Sequence, residues 1–178
     1  MRKLIVTENV TLDGIVSPIG DWFDPTKSDE ELLATTNAHG AAADALVLGR
    51  TTYEEFAGYW PGREGDPISE YLDGVAKFVV STSLEQADWV NTTIVSSLDP
   101  IADLKAEQGK DITVTGSVTL VDSLLRAGLV DMVRLFVYPI VQGHGRTLFP
   151  TGLAPTVTLL ETKAFESGVA LLSYEVDS

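Results

Sequence analysis

The chain has 178 residues, of which 44% are hydrophobic and 21% charged, a composition typical of one globular domain spanning residues 1–178. It has no cysteine and only two histidines, which excludes disulfides, thiolate metal sites and a cysteine nucleophile, and no metal is expected. The formal net charge of −14 disfavours nucleic acid and anionic membranes as partners, and the first apolar run, which ends at Glu8, is too short for a signal peptide, so we expect a cytoplasmic protein.

The first elements are predicted from short apolar runs and helix caps. Leu4–Val6 is rich in β-branched residues and predicts a strand, and the turn-forming residues of Thr11–Pro25 predict a loop. Ser28 and Glu31 fit a capping box, which predicts a helix from there to about His39. The continuous apolar run that follows predicts a buried strand at Asp44–Leu48.

The middle of the chain alternates helices and strands. Thr51 and Glu54 fit a second capping box, so a helix is predicted to start directly after the strand. A helical turn is predicted at Ile68–Leu72, with strands at Lys77–Val80 and Thr92–Val95. The next helix is predicted to begin at Asp99-Pro100 and to end before Gly109.

The last third completes an alternating pattern. Asp111–Thr115 is a predicted strand, the helix after Gly116-Ser117 is predicted to reach Ala127, and Met132–Val137 is another strand. Two runs around Ser167-Gly168 are predicted to pair in antiparallel fashion: Thr156–Glu161 and Val169–Glu175. This order predicts an α/β fold with a mostly parallel central sheet, helices on both faces and an antiparallel C-terminal strand pair.

Three predicted strands end in small, hydroxylated residues: Gly49-Arg50-Thr51-Thr52, Ser81-Thr82-Ser83 and Thr115-Gly116-Ser117. Ligands of open α/β sheets bind beyond the carboxyl ends of the strands, and helix N-termini there offer N–H donors to phosphate. Arg50 adds a cation suited to phosphate. We interpret these ends as a dinucleotide site, although each piece alone is also explained by helix capping or a surface ion pair. No Gly-x-Gly-x-x-Gly or phosphate-loop motif is present.

At this point the chain resembles a known family. The matching segments are Leu12-Asp13-Gly14, Ala43 to Glu54, Leu124 to Asp131 and Pro139 to Phe149. They resemble the dihydrofolate reductase family, in the branch similar to the C-terminal reductase domain of bacterial riboflavin biosynthesis. The resemblance covers nearly the whole chain, and the segment around Gly49 and the stretch from Gly128 to Phe149 are its specific parts.

The resemblance implies a homodimer that uses NADPH to transfer a hydride to a heterocycle such as a pteridine or an aminopyrimidine. Carried over by motif, three groups of residues would bind the coenzyme: Gly49, Arg50, Thr51 and Thr52 at its phosphates, Ser81 and Thr82 near the adenosine, and Gly116, Ser117 and Val118 at the pyrophosphate. Thr82 replaces a basic residue that the family often has, which leaves NADH open as an alternative coenzyme. Leu33 falls near the position of the acid that anchors folate, so folate reduction is not predicted.

Three residues are candidates on the substrate side. Asp13, at the end of the first strand, could act in catalysis by binding the substrate or a water that protonates it, or it could only shape an Asp-Gly turn. Trp22 and Trp60 could stack on a heterocycle, or they could anchor loops and core. Hydride transfer needs two rings held face to face rather than a nucleophile or a metal, which suits a chain without cysteine.

Two functions are therefore compared. The first is an NADPH-dependent reductase of a small heterocyclic substrate. The alternative is a dimeric nucleotide-binding module of the same fold without reductase activity. A serine hydrolase is disfavoured because the chain lacks a Gly-x-Ser-x-Gly elbow.

Overall fold

The structure is a computed structural model that describes residues 1–24, 29–149 and 152–177. Within these residues the strands are β1 (Leu4–Thr11), β2 (Ile15–Ser17), β3 (Ala43–Gly49), β4 (Ala76–Val80), β5 (Thr92–Val95), β6 (Asp111–Val114), β7 (Met132–Tyr138), β8 (Arg146–Thr147), β9 (Val157–Ala164) and β10 (Ala170–Val176). The helices are α1 (Glu30–Ala41), α2 (Arg50–Tyr59), α3 (Pro67–Gly74), α4 (Asp99–Ala106) and α5 (Val118–Arg126), with a 3-10 turn at Ile19–Asp21.

Eight strands form one sheet in the order β5-β4-β3-β6-β1-β7-β10-β9. The first six in this order pair in parallel, and β10 pairs antiparallel with both β7 and β9. This confirms the predicted mostly parallel sheet with an antiparallel C-terminal strand pair. The crossover from β6 through α5 leads to β7, on the other side of β1, so β1 lies where the strand order changes direction.

Alternate residues of β3 show that helices cover both faces of the sheet, as predicted. Ala45 and Val47 pack into a core cluster with the apolar side of α5, whereas Leu46 and Leu48 pack into a second cluster with α2 and α3. A third, smaller cluster places α1 over β7 and β10. Among the described residues, no helix is long and apolar enough to cross a bilayer.

Helix starts are where local prediction errs most. Gly49, not Thr51, is the N-cap of α2, and Glu54 contacts Arg50, so the predicted Thr51–Glu54 capping box is wrong. The N-cap of α1 is Asp29, whose carboxylate accepts the Leu32 N–H, while the predicted cap Ser28 lies outside the described residues. Each observed N-cap lies one or two residues from the predicted one, a range in which several neighbouring residues could cap the helix.

The loop predicted at Thr11–Pro25 and the segment after β7 contain a small second sheet. β2 lies within Thr11–Pro25, and its partner β8 lies within the segment after β7. A Cβ on Gly145 would collide with the carbonyl oxygen of Ser17, so the two segments touch through backbone. The contact brings the loop after β1 against the loop after β7, at the same edge of the main sheet.

Candidate active site

The carboxyl ends of β4, β3, β6, β1 and β7 lie side by side, because these strands are parallel neighbours in the sheet. We call this edge the rim. Ser81, Gly49 and Gly116, which close three of the strands, therefore follow one another along the rim. The sequence predicted these turns separately, and only the strand order makes them neighbours.

Two of the turns touch. The Gly49 N–H donates to the Gly116 carbonyl at 3.4 Å, and a Cβ on Gly49 would collide with the Ser117 Oγ. Gly116 has a φ of +64°, and a Cβ there would lie 2.5 Å from the Thr52 Oγ1. The Gly116–Ser117 peptide is cis. Neither position has room for a side chain, so the two turns pack directly against each other. Gly49 is buried in this contact, and the partly exposed backbone of Gly116 forms the floor of the rim between β3 and β6. We call this contact the glycine junction.

The two helices that start at the glycine junction differ from the other described helices in their charge. α2 and α5 have no acidic residue in the first turn and no side-chain cap, whereas α1, α3 and α4 each have an acidic residue there. The free N–H groups and the helix dipoles thus present partial positive charge at one place. Helix starts of this kind are suited to binding an anion.

Two arginines flank the glycine junction. Arg50 opens α2, is half exposed, and has its guanidinium 3.4 Å from the Glu54 carboxylate one turn on. Arg146, on β8, places a guanidinium nitrogen 3.3 Å from the Thr119 Oγ1 in the first turn of α5. Each helix start therefore has one cation beside it, and both cations are on the exposed side.

The third turn has a different geometry. The Ser81 Oγ accepts the N–H groups of Ser83 and Leu84, at 3.2 and 2.9 Å, so this hydroxyl shapes its own turn. Thr82 is exposed at the tip of that turn. The turn follows β4, the neighbour of β3, and so lies on the side of the glycine junction away from β1.

Asp13 ties two loops of the rim together. Its carboxylate accepts the Thr11 hydroxyl at 2.6 Å and the N–H groups of Gln142 and Gly143 at 3.1 and 2.8 Å. These donors lower the pKa of Asp13 to about 2. A carboxylate that stays ionised cannot itself release a proton near neutral pH. The catalytic role of Asp13 stays a prediction, and the geometry adds a second role as a loop latch.

The two tryptophans lie in different places. Trp22 packs edge to face on Tyr138 at the end of β7, with ring centroids 5.4 Å apart, and Phe23 packs on the same tyrosine at 5.7 Å. Trp60 follows the end of α2, about 15 Å from the start of that ten-residue helix, and packs on Tyr59 and Phe56. The structure brings Trp22 to the rim and leaves Trp60 away from it.

The Trp22 indole has a buried Nε1 with no partner among the described residues. An aromatic wall of this kind is suited to packing against a flat ring. Burial raises the pKa of Tyr138, behind Trp22, to about 12, so its hydroxyl stays neutral.

Glu8 is a rim residue that the sequence analysis did not select. It lies in the middle of β1, and its Oε1 accepts the Gly116 N–H at 2.6 Å. Burial raises the pKa of Glu8 to about 7, and the bond from Gly116 offsets part of that shift. The predicted strand Leu4–Val6 stopped short of Glu8, and the available signal was that apolar Val10 continues the alternating pattern of Leu4 and Val6 beyond this charged residue.

The described residues fit a pyridine dinucleotide. A floor of glycine backbone, two helix starts without acidic residues and two arginines suit a pyrophosphate. The strand order then puts the Ser81 turn on one side of this floor and the aromatic wall on the other. Because β1 lies where the strand order changes direction, its end is the place where such sheets bind ligands.

Comparisons with known proteins agree with this fold. The RibD C-terminal domain family model matches residues 2–171. The Bacillus subtilis protein YyaP is 29% identical over an alignment of 188 residues, which covers 97% of this chain and 94% of YyaP. A crystal structure of a pyrimidine reductase-like protein from Corynebacterium diphtheriae is 16% identical, with a TM-score of 0.70 over 99% of this chain and 92% of that one.

A dihydrofolate reductase from Enterococcus faecalis, in complex with NADP(H), is also similar. It is 16% identical, with a TM-score of 0.68 over 99% of this chain and 97% of that one. At such identity the likeness concerns the fold.

Proposed function

The chain belongs to the RibD C-terminal domain family, and from that membership and the rim we propose an NADPH-dependent reductase that transfers a hydride to a small heterocycle. The family implies reductase-type activity. The observation that carries the proposal is the glycine junction, where two helix starts without acidic first turns meet and the partly exposed backbone of Gly116 lies between them.

Each turn would hold one part of the coenzyme. The N–H groups of Thr51, Thr52 and Val118 at the helix starts would bind its pyrophosphate. Arg50 would add a charge-assisted hydrogen bond. The Ser81-Thr82 turn would lie against the adenosine, on the far side of β3. When bound, NADPH supplies the hydride.

The substrate would be a pteridine or an aminopyrimidine. The Trp22 ring, which packs on Tyr138 at the end of β7, supports a flat heterocycle. The Asp13 carboxylate is already shared among three donors, so it would orient the wall or hold a water rather than bind a substrate amine tightly. Trp60 is not needed for this role.

Selectivity for NADPH over NADH would rest on Arg50 reaching the 2′-phosphate as well as the pyrophosphate, because the Ser81-Thr82 turn beside the adenosine contributes no cation. We expect NADH to bind more weakly than NADPH and still to serve as a hydride donor.

The second candidate, a nucleotide-binding module without reductase activity, is favoured by Leu33. This side chain is 39% exposed on α1 and cannot anchor a heterocycle through charge. The module would bind the coenzyme as tightly as a reductase but would not oxidise it.

A titration followed by a turnover assay tests both candidates. We expect NADPH fluorescence to change on binding, with a dissociation constant well below 1 mM, and NADPH absorbance to fall with a pteridine or an aminopyrimidine as acceptor. No binding at millimolar NADPH would contradict both functions. Binding without turnover on a panel of pteridines, pyrimidines and quinones would favour the module.

We also propose that the protein is a homodimer. β9 is an edge strand whose apolar side chains Val157, Leu159 and Leu160 are 41%, 52% and 48% exposed. Such an apolar strand is an association site when it is left uncovered. We expect light scattering to give twice the 19.1 kDa chain mass, and Leu159→Lys to reduce that value to one chain. A monomeric wild type would contradict the proposal.

A further inference from the structure

Glu8 is placed beside the glycine junction by the way β1 leaves its neighbour. β1 pairs with β6 only over Leu4–Val6, and then continues beside β7 to Thr11. Glu8 is the second residue beyond the last pair with β6, and there its carboxylate accepts the Gly116 N–H at 2.6 Å. The strand therefore reaches the turn through this side chain.

The surroundings of Glu8 are mainly apolar. Val6 and Val10, two residues away on either side, are buried in the core cluster, and Leu135 is its partner on β7. No acidic or basic residue lies in the first turn of α5. Charged groups at this end of the sheet include Arg50 at the start of α2, Arg146, which contacts the first turn of α5, and the Asp13 carboxylate beyond the end of β1.

Holding the turn does not by itself require an acid. A glutamine at the same position would offer a carbonyl oxygen to the Gly116 N–H and would avoid the cost of burying a charge. The acid instead places one titratable proton next to a turn that would receive a pyrophosphate. A second anion close by disfavours the ionised form of a carboxyl group.

We propose that Glu8 is a positioning residue, which fixes the coenzyme turn through Gly116 and takes up a proton from solvent when the anionic coenzyme binds. The inference rests on the proposed function. Free protein near neutral pH is divided between the protonated and ionised forms of Glu8, since its pKa lies at about 7. Binding selects the protonated form, whose O–H replaces the negative charge beside the turn.

The sign of the effect follows from linkage. If binding takes up a proton, the affinity for coenzyme falls as the pH rises above the pKa of the free protein. The apparent dissociation constant then rises by as much as tenfold for each pH unit above 7. Glu8→Gln keeps an acceptor for the Gly116 N–H and has no proton to take up.

Calorimetric titration with NADPH at several values from pH 7 to 9 tests this inference. In that range the 2′-phosphate of NADPH is already ionised, because the second pKa of a phosphate monoester is about 6. Titrations in two buffers of different ionisation enthalpy give the number of protons taken up. We expect the wild type to take up as much as one proton on binding and Glu8→Gln to take up none. The dissociation constant of Glu8→Gln for NADPH should change less than twofold between pH 7 and pH 9.

Glu175→Gln is the matched control. It also removes one carboxylate, from the exposed side chain of Glu175 in β10, at the opposite end of the sheet from the rim. We expect its proton uptake to match that of the wild type. If Glu8→Gln does not fold, the side-chain carboxyl carbon resonances of glutamate-labelled wild type can be followed by NMR instead. We expect one glutamate to titrate near pH 7 and its pKa to rise when the coenzyme binds.

The outcomes separate the two claims. NADPH that binds to the wild type without proton uptake, or with the same uptake in Glu8→Gln, would overturn the role of Glu8 and leave the reductase proposal standing. NADPH that does not bind to the wild type at all would overturn the proposed function and this inference with it.

Discussion

Two regions of the rim hold a carboxylate in opposite ways. At the glycine junction, Glu8 is partly buried, accepts one described hydrogen bond, and has its pKa raised to about 7. At the loop latch between β1 and β7, Asp13 is exposed, accepts three hydrogen bonds, and has its pKa lowered to about 2. The two residues are only five positions apart in the chain.

The difference shows that the number of donors and the access of water decide what a carboxyl group can do. Water and three donors stabilise the ionised Asp13, whereas burial with one donor destabilises the ionised Glu8. Near neutral pH, Asp13 is a permanent anion that fastens loops. Glu8 is the one of the two that exchanges a proton.

The largest effect is expected from filling the glycine junction. Gly116→Ala adds a Cβ 2.5 Å from the Thr52 Oγ1 at a φ of +64°, so the floor must shift. We expect the dissociation constant for NADPH to rise about 100-fold or more, a loss of about 2.7 kcal/mol or more of binding free energy. Fluorescence titration measures the change.

Gly128→Ala is the control for Gly116→Ala. Gly128 has a φ of +65° and nothing within 4 Å of its would-be Cβ, so this variant has the same backbone strain of about 1–2 kcal/mol without the contact. We expect both variants to lose stability and only Gly116→Ala to lose coenzyme binding. Equal affinities in the two variants would mean that the junction does not line the site.

Glu8→Gln should stabilise the protein in a pH-dependent way. The folded pKa of about 7 lies above the ordinary value of 4.5 for a glutamate, so stability from this group is complete below pH 4.5 and is lost as the pH rises through 7. Removing the acid should therefore raise the free energy of unfolding at pH 9 by up to about 3 kcal/mol, with little change at pH 4.5. Urea unfolding at both pH values would contradict this if the gain were the same.

Arg50→Ala tests the exposed cation of the glycine junction. We expect NADPH binding to weaken by about 1.5–3 kcal/mol if the guanidinium makes a charge-assisted hydrogen bond. Added salt should weaken wild-type binding too, because the contact is exposed. Glu54→Gln is the matched variant, since it frees Arg50 from its present partner and should leave binding unchanged or tighter. An unchanged dissociation constant in Arg50→Ala would remove Arg50 from the site.

The smallest effect is expected at the loop latch. Because the pKa of Asp13 is lowered, its contribution to stability is present above pH 3.8 and is lost as the pH falls toward 2. Asp13→Asn should lower the thermal midpoint slightly at pH 7, and the two midpoints should converge near pH 2. A variant that keeps the midpoint but loses turnover would instead support the predicted catalytic role.

The fold was largely predictable from local patterns. Continuous apolar runs such as Asp44–Leu48 marked buried parallel strands, and the turn at Ser167-Gly168 marked the antiparallel pair. Helix starts were less predictable, as Gly49 shows, because several neighbouring residues compete to cap a helix. β2 and β8 were missed because each is too short to have a pattern of its own and exists only by pairing with the other.

The sequence by itself determined the residue types that the rim needs: glycines and hydroxylated residues after strands, and an arginine at a helix start. The tertiary structure alone decided which of them meet. Strand order put Gly116 against Gly49 and Thr52, brought Trp22 to the rim and left Trp60 behind. It also made Glu8 a partner of Gly116, 108 residues away, because contacts between strands depend on pairing and not on distance along the chain.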